Sequence, residues 1–121
     1  MAKAAIRLGI DVLLDLAGLG PEALDEVLVA GAFGSYLDLR SALRIGMFPP
    51  VPRGRIRQLG NAAGHGARQL LVSPARRQRA EALAGRAEHV ELSGEPSFRD
   101  RYLGALWIPH RHPGGVRGAV R

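Results

Sequence analysis

Apolar residues in the first stretch of the chain recur at helical intervals. Ile6, Ile10, Leu13, Leu14 and Ala17 fall at i, i+4, i+7, i+8 and i+11, one stripe of an amphipathic helix over residues 3–17. Leu8, Val12 and Leu16 widen that stripe and imply burial over more than one face. Gly18 and the Gly20-Pro21 pair stop the helix, and residues 21–26 form a polar connection. Val27-Leu28-Val29-Ala30 is a short continuous apolar run closed by Gly31-Ala32-Phe33-Gly34. That is the pattern of a strand buried on both faces. Glycines at its end permit a tight turn and close approach by another backbone or a ligand.

Further along, Asp38 is placed to cap a short helix over 39–45 with Gly46 as its terminator. Pro49, Pro50 and Pro52 make a stiff connection, and the alternation from Arg55 to Leu59 predicts a second strand. Asn61 then caps a helix over 62–72 whose opening, Ala62-Ala63-Gly64-His65-Gly66-Ala67, is unusually small. Each interior glycine costs about 1 kcal/mol relative to alanine. Close packing against another helix or a ligand is the physical reason expected for two of them. Ser73-Pro74 opens a helix over 74–84 ended by Gly85, with Arg76, Arg77, Arg79 and Arg86 on a solvated face. Residues 89–92 read as a third strand, and Ser97 caps a last helix carrying Phe98, Tyr102, Leu103 and Leu106. From His110 onward no periodicity remains. The chain therefore divides into a folded segment, 1–109, and a disordered tail, 110–121.

Composition narrows the classes. At 121 residues, 46% apolar and 23% charged, the chain is an ordinary globular sequence with room for one core. It has no cysteine, which removes disulfides, thiolate nucleophiles and any cysteine-held iron–sulfur cluster on this chain. Its apolar runs are too short for a membrane helix. Asp11 and Asp15 interrupt the N-terminal apolar stretch, unlike a secretion signal, and a cytoplasmic location is expected. The net charge of +6 is unevenly spread, because residues 39–86 hold ten arginines against one glutamate. Guanidinium groups suit phosphates, yet residues 49–86 contain no aromatic side chain to stack on bases, so nucleic acid is a weak reading. Biased arginine usage is the plainer cause.

Catalytic motifs are missing from the sequence. There is no Gly-x-x-x-x-Gly-Lys phosphate loop, no Gly-x-Ser-x-Gly and no His-Glu-x-x-His. The histidines at 65, 89, 110 and 112 lack ligand spacing with carboxylates. His65 reads as a surface or capping residue, with contact to a phosphate as the alternative. Asp11, Asp15, Asp25 and Glu26 read as solvated charges. The turn at 31–34 is open to two readings, an ordinary tight turn after a core strand or a surface facing a ligand at a strand's carboxyl end.

The order of elements resembles the last part of the nucleotide-binding fold shared by actin, sugar kinases and heat-shock ATPases. Residues Val27 to Gly34 resemble that superfamily's adenosine motif, and Gly60 to Ala67 its second connecting helix. A closer match comes from three segments: Ala30-Gly31-Ala32-Phe33-Gly34-Ser35-Tyr36-Leu37-Asp38, Ile45-Gly46-Met47-Phe48-Pro49 and Gly60-Asn61-Ala62-Ala63-Gly64. In that order they resemble the C-terminal domain of the reductive activators of corrinoid proteins, ferredoxin-like ATPases. Val90-Glu91-Leu92-Ser93 and residues 98–109 fit that family's ending, so the likeness covers roughly residues 3–109.

The resemblance implies an α/β fold: part of an actin-like, ribonuclease-H-like ATPase lobe with about three strands and four helices, truncated on its N-terminal side. It implies adenosine contact by Gly31, Ala32, Phe33 and Gly34, and an inter-lobe connecting helix bearing Asn61, Ala62, Ala63, Gly64 and Gly66. The complete protein would use ATP and Mg²⁺, and a 2Fe–2S domain would pass an electron to the cobalt of a corrinoid methyltransferase system. In the superfamily, the phosphate hairpins and Mg-coordinating acids precede the matched region. The chain is accordingly expected to be a fragment that does not hydrolyse ATP alone. Its expected partners are a missing N-terminal lobe or a second copy, and a corrinoid protein. The strand at 27–30 should then show an unpaired edge. Two other readings stand beside this one: a non-catalytic interaction module of the same fold, and an arginine-rich nucleic-acid binder.

Overall fold

Helix α1 spans Ala2–Ala17 and ends as its glycine requires. Gly18 takes a φ of 64° and the Leu19 N–H reaches back to the Leu14 carbonyl at 3.0 Å, a left-handed cap that satisfies otherwise orphaned carbonyls. The computed structural model containing this helix describes residues 1–31, 33–94 and 97–109, with the backbone alone of Phe33 and Gly34. The expected tail, 110–121, and Ala32 lie outside the described residues.

The chain forms two compact units, where the length had suggested one core. The first comprises Met1–Asp25, Asp38–Arg55 and the described residues from Glu91 onward; the second comprises Glu26–Leu37 and Ile56–Val90. All of the buried apolar side chains except Ile56 belong to the first unit.

In the first unit the core face of α1 is not the expected stripe. Ala4, Leu8 and Val12, at i, i+4 and i+8, are buried together with Arg7 and Leu14, whereas Leu13 is 54% exposed. The reason is close helix packing. Ala4 and Ala105, each 1% exposed, let α1 approach α6, Phe98–Leu106. Lys3 Nζ donates to the carbonyls of Ala105 and Trp107, both at 2.7 Å, and so satisfies acceptors at the end of α6. Burial and the neighbouring Arg7 lower the Lys3 pKa.

Helix α3, Leu39–Arg44, is capped as predicted, with Asp38 accepting from the Ser41 N–H at 3.0 Å. Gly46 follows at φ 74°. The proline-rich segment is more than a connector, because Met47, Phe48, Pro49 and Val51 are all buried.

One acidic residue corrects a sequence expectation. Asp11 is no solvated charge: it accepts from Arg7 Nε at 2.9 Å, and the two side chains are only 12% and 7% exposed. Arg7 Nη1 also donates to the Phe48 carbonyl at 3.0 Å. Asp15 binds Arg101 at 2.7 Å and Glu26 binds Arg57 at 3.1 Å. The predicted third strand at 89–92 is replaced by irregular backbone and a 3-10 turn, Leu92–Gly94. There the Glu91 carboxylate accepts from the Ser93 N–H at 3.2 Å, a local bond that competes with strand pairing.

The second unit is built on two parallel strands, β1 (Val27–Ala30) and β2 (Ile56–Gly60). Pairing runs Val27 to Ile56, Leu28 to Arg57 and Val29 to Gln58, then skips so that Ala30 faces Gly60. Burial of β1 on both faces, expected from its apolar run, is not observed: Leu28 is 54% exposed. Among the described residues β1 has one partner strand, so its other edge offers unpaired backbone groups. Helix α4 (Ala62–Val72) is capped by Asn61 and α5 (Pro74–Ala84) by Ser73. No described helix is long and apolar enough to cross a membrane.

Candidate functional site

The second unit concentrates its unusual backbone where β1 and β2 end. Both strands terminate in left-handed glycines, Gly31 at φ 82° and Gly60 at φ 60°. The Gly31 N–H donates to the Gly60 carbonyl at 2.7 Å, closing the two strand ends together. The skipped register leaves Leu59 as an extra residue on β2, an irregularity of the kind that redirects a side chain. Leu59 is 42% exposed.

A four-residue helix, α2 (Phe33–Tyr36), follows Gly31 and packs on both strands. Gln58 Nε2 donates to the Leu37 carbonyl at 2.8 Å and pins the end of that segment to β2. A Cβ built on Gly31 would meet nothing within 4 Å, while one on Gly60 would lie 3.7 Å from Ser35 Oγ. Among the described residues no atom crowds the backbone at Gly31.

Beyond Gly60 the chain turns into α4. Asn61 Oδ1 accepts from the Gly64 N–H at 3.0 Å. An open cavity of about 580 Å³ lies here, lined by Leu59, Asn61, Gly64, His65 and Arg68. Arg68 Nη2 lies 3.4 Å from His65 Nδ1. A guanidinium has only donors, so Arg68 is the donor in any hydrogen bond there. No carboxylate lines this cavity, and among the described residues no group of three or more His, Asp or Glu could hold a metal ion. The arrangement offers backbone groups, one amide and one imidazole side chain, and one fixed positive charge. It can bind a ligand; it presents no nucleophile paired with a base.

The sequence-selected residues fall as follows. Gly31 sits at the end of β1, and Phe33 and Gly34 enter α2 rather than a simple turn. Ala32 and the side chain of Phe33 lie outside the described residues. Asn61 caps α4, Ala62, Gly64 and Gly66 are half-buried, and Ala63 is exposed. The tertiary structure brings Gly31 to the Gly60-Asn61 junction. Nothing local in the sequence marks Gly60 as the counterpart of Gly31 beyond the repeated pattern of a strand followed by glycine. The glycines of α4 have separate explanations. Gly64 lies under the Asn61 side chain, where a Cβ would come within 2.6 Å of Nδ2, whereas Gly66 faces nothing within 4 Å. Close packing against a second helix explains neither.

A parallel strand pair whose glycine ends are joined, with a capped helix after the second strand, gives the second unit an α/β architecture. Residues 1–115 match the family described as the C-terminal domain of RACo, the ASKHA domain. The chain belongs to this family. It is 36% identical over 103 residues to the corrinoid activation enzyme RamQ of Eubacterium limosum, covering 85% of this chain and 17% of that protein. Over 104 residues it is 30% identical to the Co(II) methylated amine-specific corrinoid protein reductase of Methanosarcina barkeri, covering 84% of this chain and 19% of that one. Among solved structures it superposes on a reductive activator for corrinoid,iron-sulfur protein with a TM-score of 0.81 and 35% identity, covering 89% of this chain and 17% of the other. The chain thus spans less than a fifth of each relative's length.

Proposed function

We propose that this chain supplies the adenosine-side wall of a cytoplasmic, ATP-dependent activator that acts on a corrinoid protein. The observation that carries the reading is the joined pair of left-handed glycines, Gly31 and Gly60, at the carboxyl ends of two parallel strands. Ligands of open α/β sheets bind beyond strand carboxyl ends, and a bare backbone there lets a flat ring lie against the peptide. The backbone present fits an adenosine, with open space over Gly31 among the described residues; Arg68, beside Asn61 and Gly64, offers a positive charge of the kind a phosphate takes. The residues present do not fit Mg²⁺, for want of a carboxylate cluster among the described residues, and no step is assigned to the cation.

In this reading Gly31, Ala32, Phe33 and Gly34 contact the adenosine, and α4 from Asn61 serves as the connecting helix between lobes. Bound ATP supplies the free energy for an otherwise uphill reduction. This chain's share is to bind and orient the nucleotide, and by itself it does not hydrolyse ATP. An electron-transfer cluster would have to reside on another domain, since the sequence has no cysteine. The names of the relatives support a corrinoid protein as the partner.

Calorimetric titration with ATP and Mg²⁺ tests this, using the chain alone and then with the preceding lobe of such an activator. Saturable binding in the reconstituted pair, lost in Gly31→Val, is the expected result. A second reading, a non-catalytic interaction module, draws on the exposed Leu28 and the unpaired edge of β1. It prevails if neither preparation binds nucleotide.

A further inference from the structure

Away from the strand ends, α4 and α5 form a hairpin joined at Ser73, and neither helix contains a buried residue. A groove of about 390 Å³ runs between them. Leu70, Ala80 and Leu83 supply its apolar part, Arg76 and Arg79 its charge, and Gly66 an open wall. Leu83 is 57% exposed. Apolar surface of this kind, ringed by charge, is typical of an interaction site.

The two charged residues that line the groove, Arg76 and Arg79, are both positive. Residues 68–86 contain five arginines and a single carboxylate, Glu81. The ion pairs of the described residues use other arginines, namely Arg7, Arg57 and Arg101. Arg76 and Arg79 stand three residues apart on α5 and so project from one face. A ligand meeting both must carry negative groups at matching spacing while covering Leu70 and Leu83 with apolar surface. Nucleic acid satisfies the first condition and not the second, because sugar–phosphate backbone does not cover an aliphatic floor and residues 49–86 offer no aromatic for base stacking.

We infer that the α4–α5 groove docks an acidic amphipathic helix of a partner protein, its carboxylates on Arg76 and Arg79 and its apolar stripe on Leu70, Ala80 and Leu83. This mode is helix-in-groove recognition with charge complementarity at the rim. The groove uses none of the residues proposed to contact adenosine, but it shares α4 and Gly66 with the proposed connection between lobes.

The probe is a synthetic helical peptide with glutamates three and four residues apart beside a leucine stripe, titrated into the full chain and followed by amide NMR shifts. Saturable shifts at Leu70, Ala80 and Leu83 are expected. Arg76→Ala and Arg79→Ala should each weaken binding by about tenfold, roughly the worth of one charge-assisted hydrogen bond. Gly66→Leu should abolish binding with the fold intact, because the added side chain enters the groove from a helical position with nothing within 4 Å of its Cβ. Equal binding by a peptide with its leucines changed to serine would overturn the inference in favour of charge attraction alone. So would saturable binding of duplex DNA or phosphatidylserine vesicles at the same amides without peptide binding. Concentration-dependent dimerisation removed by Gly66→Leu would reassign the groove to a second copy of the chain.

Discussion

Asp11→Ala should destabilise the first unit as severely as a large core truncation. Arg7 is 5% exposed, and its Nε lies 2.9 and 3.0 Å from the two Asp11 oxygens. An exposed i,i+4 pair is worth only about 0.3–0.5 kcal/mol. Burial changes the scale, because removing one partner of a buried pair costs about 3–5 kcal/mol through the charge left behind. Against a total stability of about 5–15 kcal/mol for a domain, that loss lowers the melting temperature by about 12–40 °C. Arg7→Met/Asp11→Leu removes both charges at similar volume. It should lose only about 1–3 kcal/mol, chiefly because the Phe48 carbonyl forfeits the donor now 3.0 Å away. The double variant is therefore more stable than Asp11→Ala. The assay is urea unfolding followed through Trp107, the chain's one tryptophan, which belongs to the first unit. A cost below about 1 kcal/mol for Asp11→Ala, or a double variant that falls by the sum of the singles, would refute the reasoning.

The α4 glycines should part company under substitution. Gly66→Ala is expected to stabilise the helix by up to about 1 kcal/mol, while Gly64→Ala collides with the capping Asn61 side chain and gains nothing; thermal unfolding of the two variants checks this. Gly31→Ala places a Cβ at φ 82°, costing about 1–2 kcal/mol, and should also remove the calorimetric signal for ATP, whereas Gly54→Ala, which faces open space, should preserve that signal. The Asp38 carboxyl is held below its ordinary value of 3.8 by hydrogen bonds from the Ser41 hydroxyl and then the Ser41 N–H. Because the folded pKa is the lower one, the cap's contribution is complete above the ordinary value and disappears as pH falls through the depressed one. An NMR titration of the Ser41 amide should therefore have its midpoint below 3.8, and a midpoint above it contradicts the capping geometry. Leu28→Lys on β1 should reduce any self-association seen by sedimentation, since a charge on an exposed edge strand blocks pairing.

Local chemistry was legible because it acts over a few residues. Asp38, Asn61 and Ser73 each accept from an N–H three positions on. Gly18 and Gly46 close helices in the left-handed region that side chains avoid. The bounds of α4 and α5 follow directly from such signals, and the ordered motifs from Ala30 to Gly64 were enough to indicate the family. Tertiary contacts decided the rest. Hydrophobic periodicity tells that α1 has an apolar face but not which part of it is covered; packing of α1 against α6, where Ala4 and Ala105 are both buried, selected the Ala4-Leu8-Val12 side. Burial of Arg7 with Asp11 depends on Phe48, forty-one residues away, and no local pattern announces it. A strand exists only if another supplies its hydrogen bonds, so 27–30 found Ile56–Gly60 while 89–92 settled into a turn. The meeting of Gly31 with Gly60 is of the same kind: each glycine is a local permission, and only the parallel pairing of distant segments turned the two into one site.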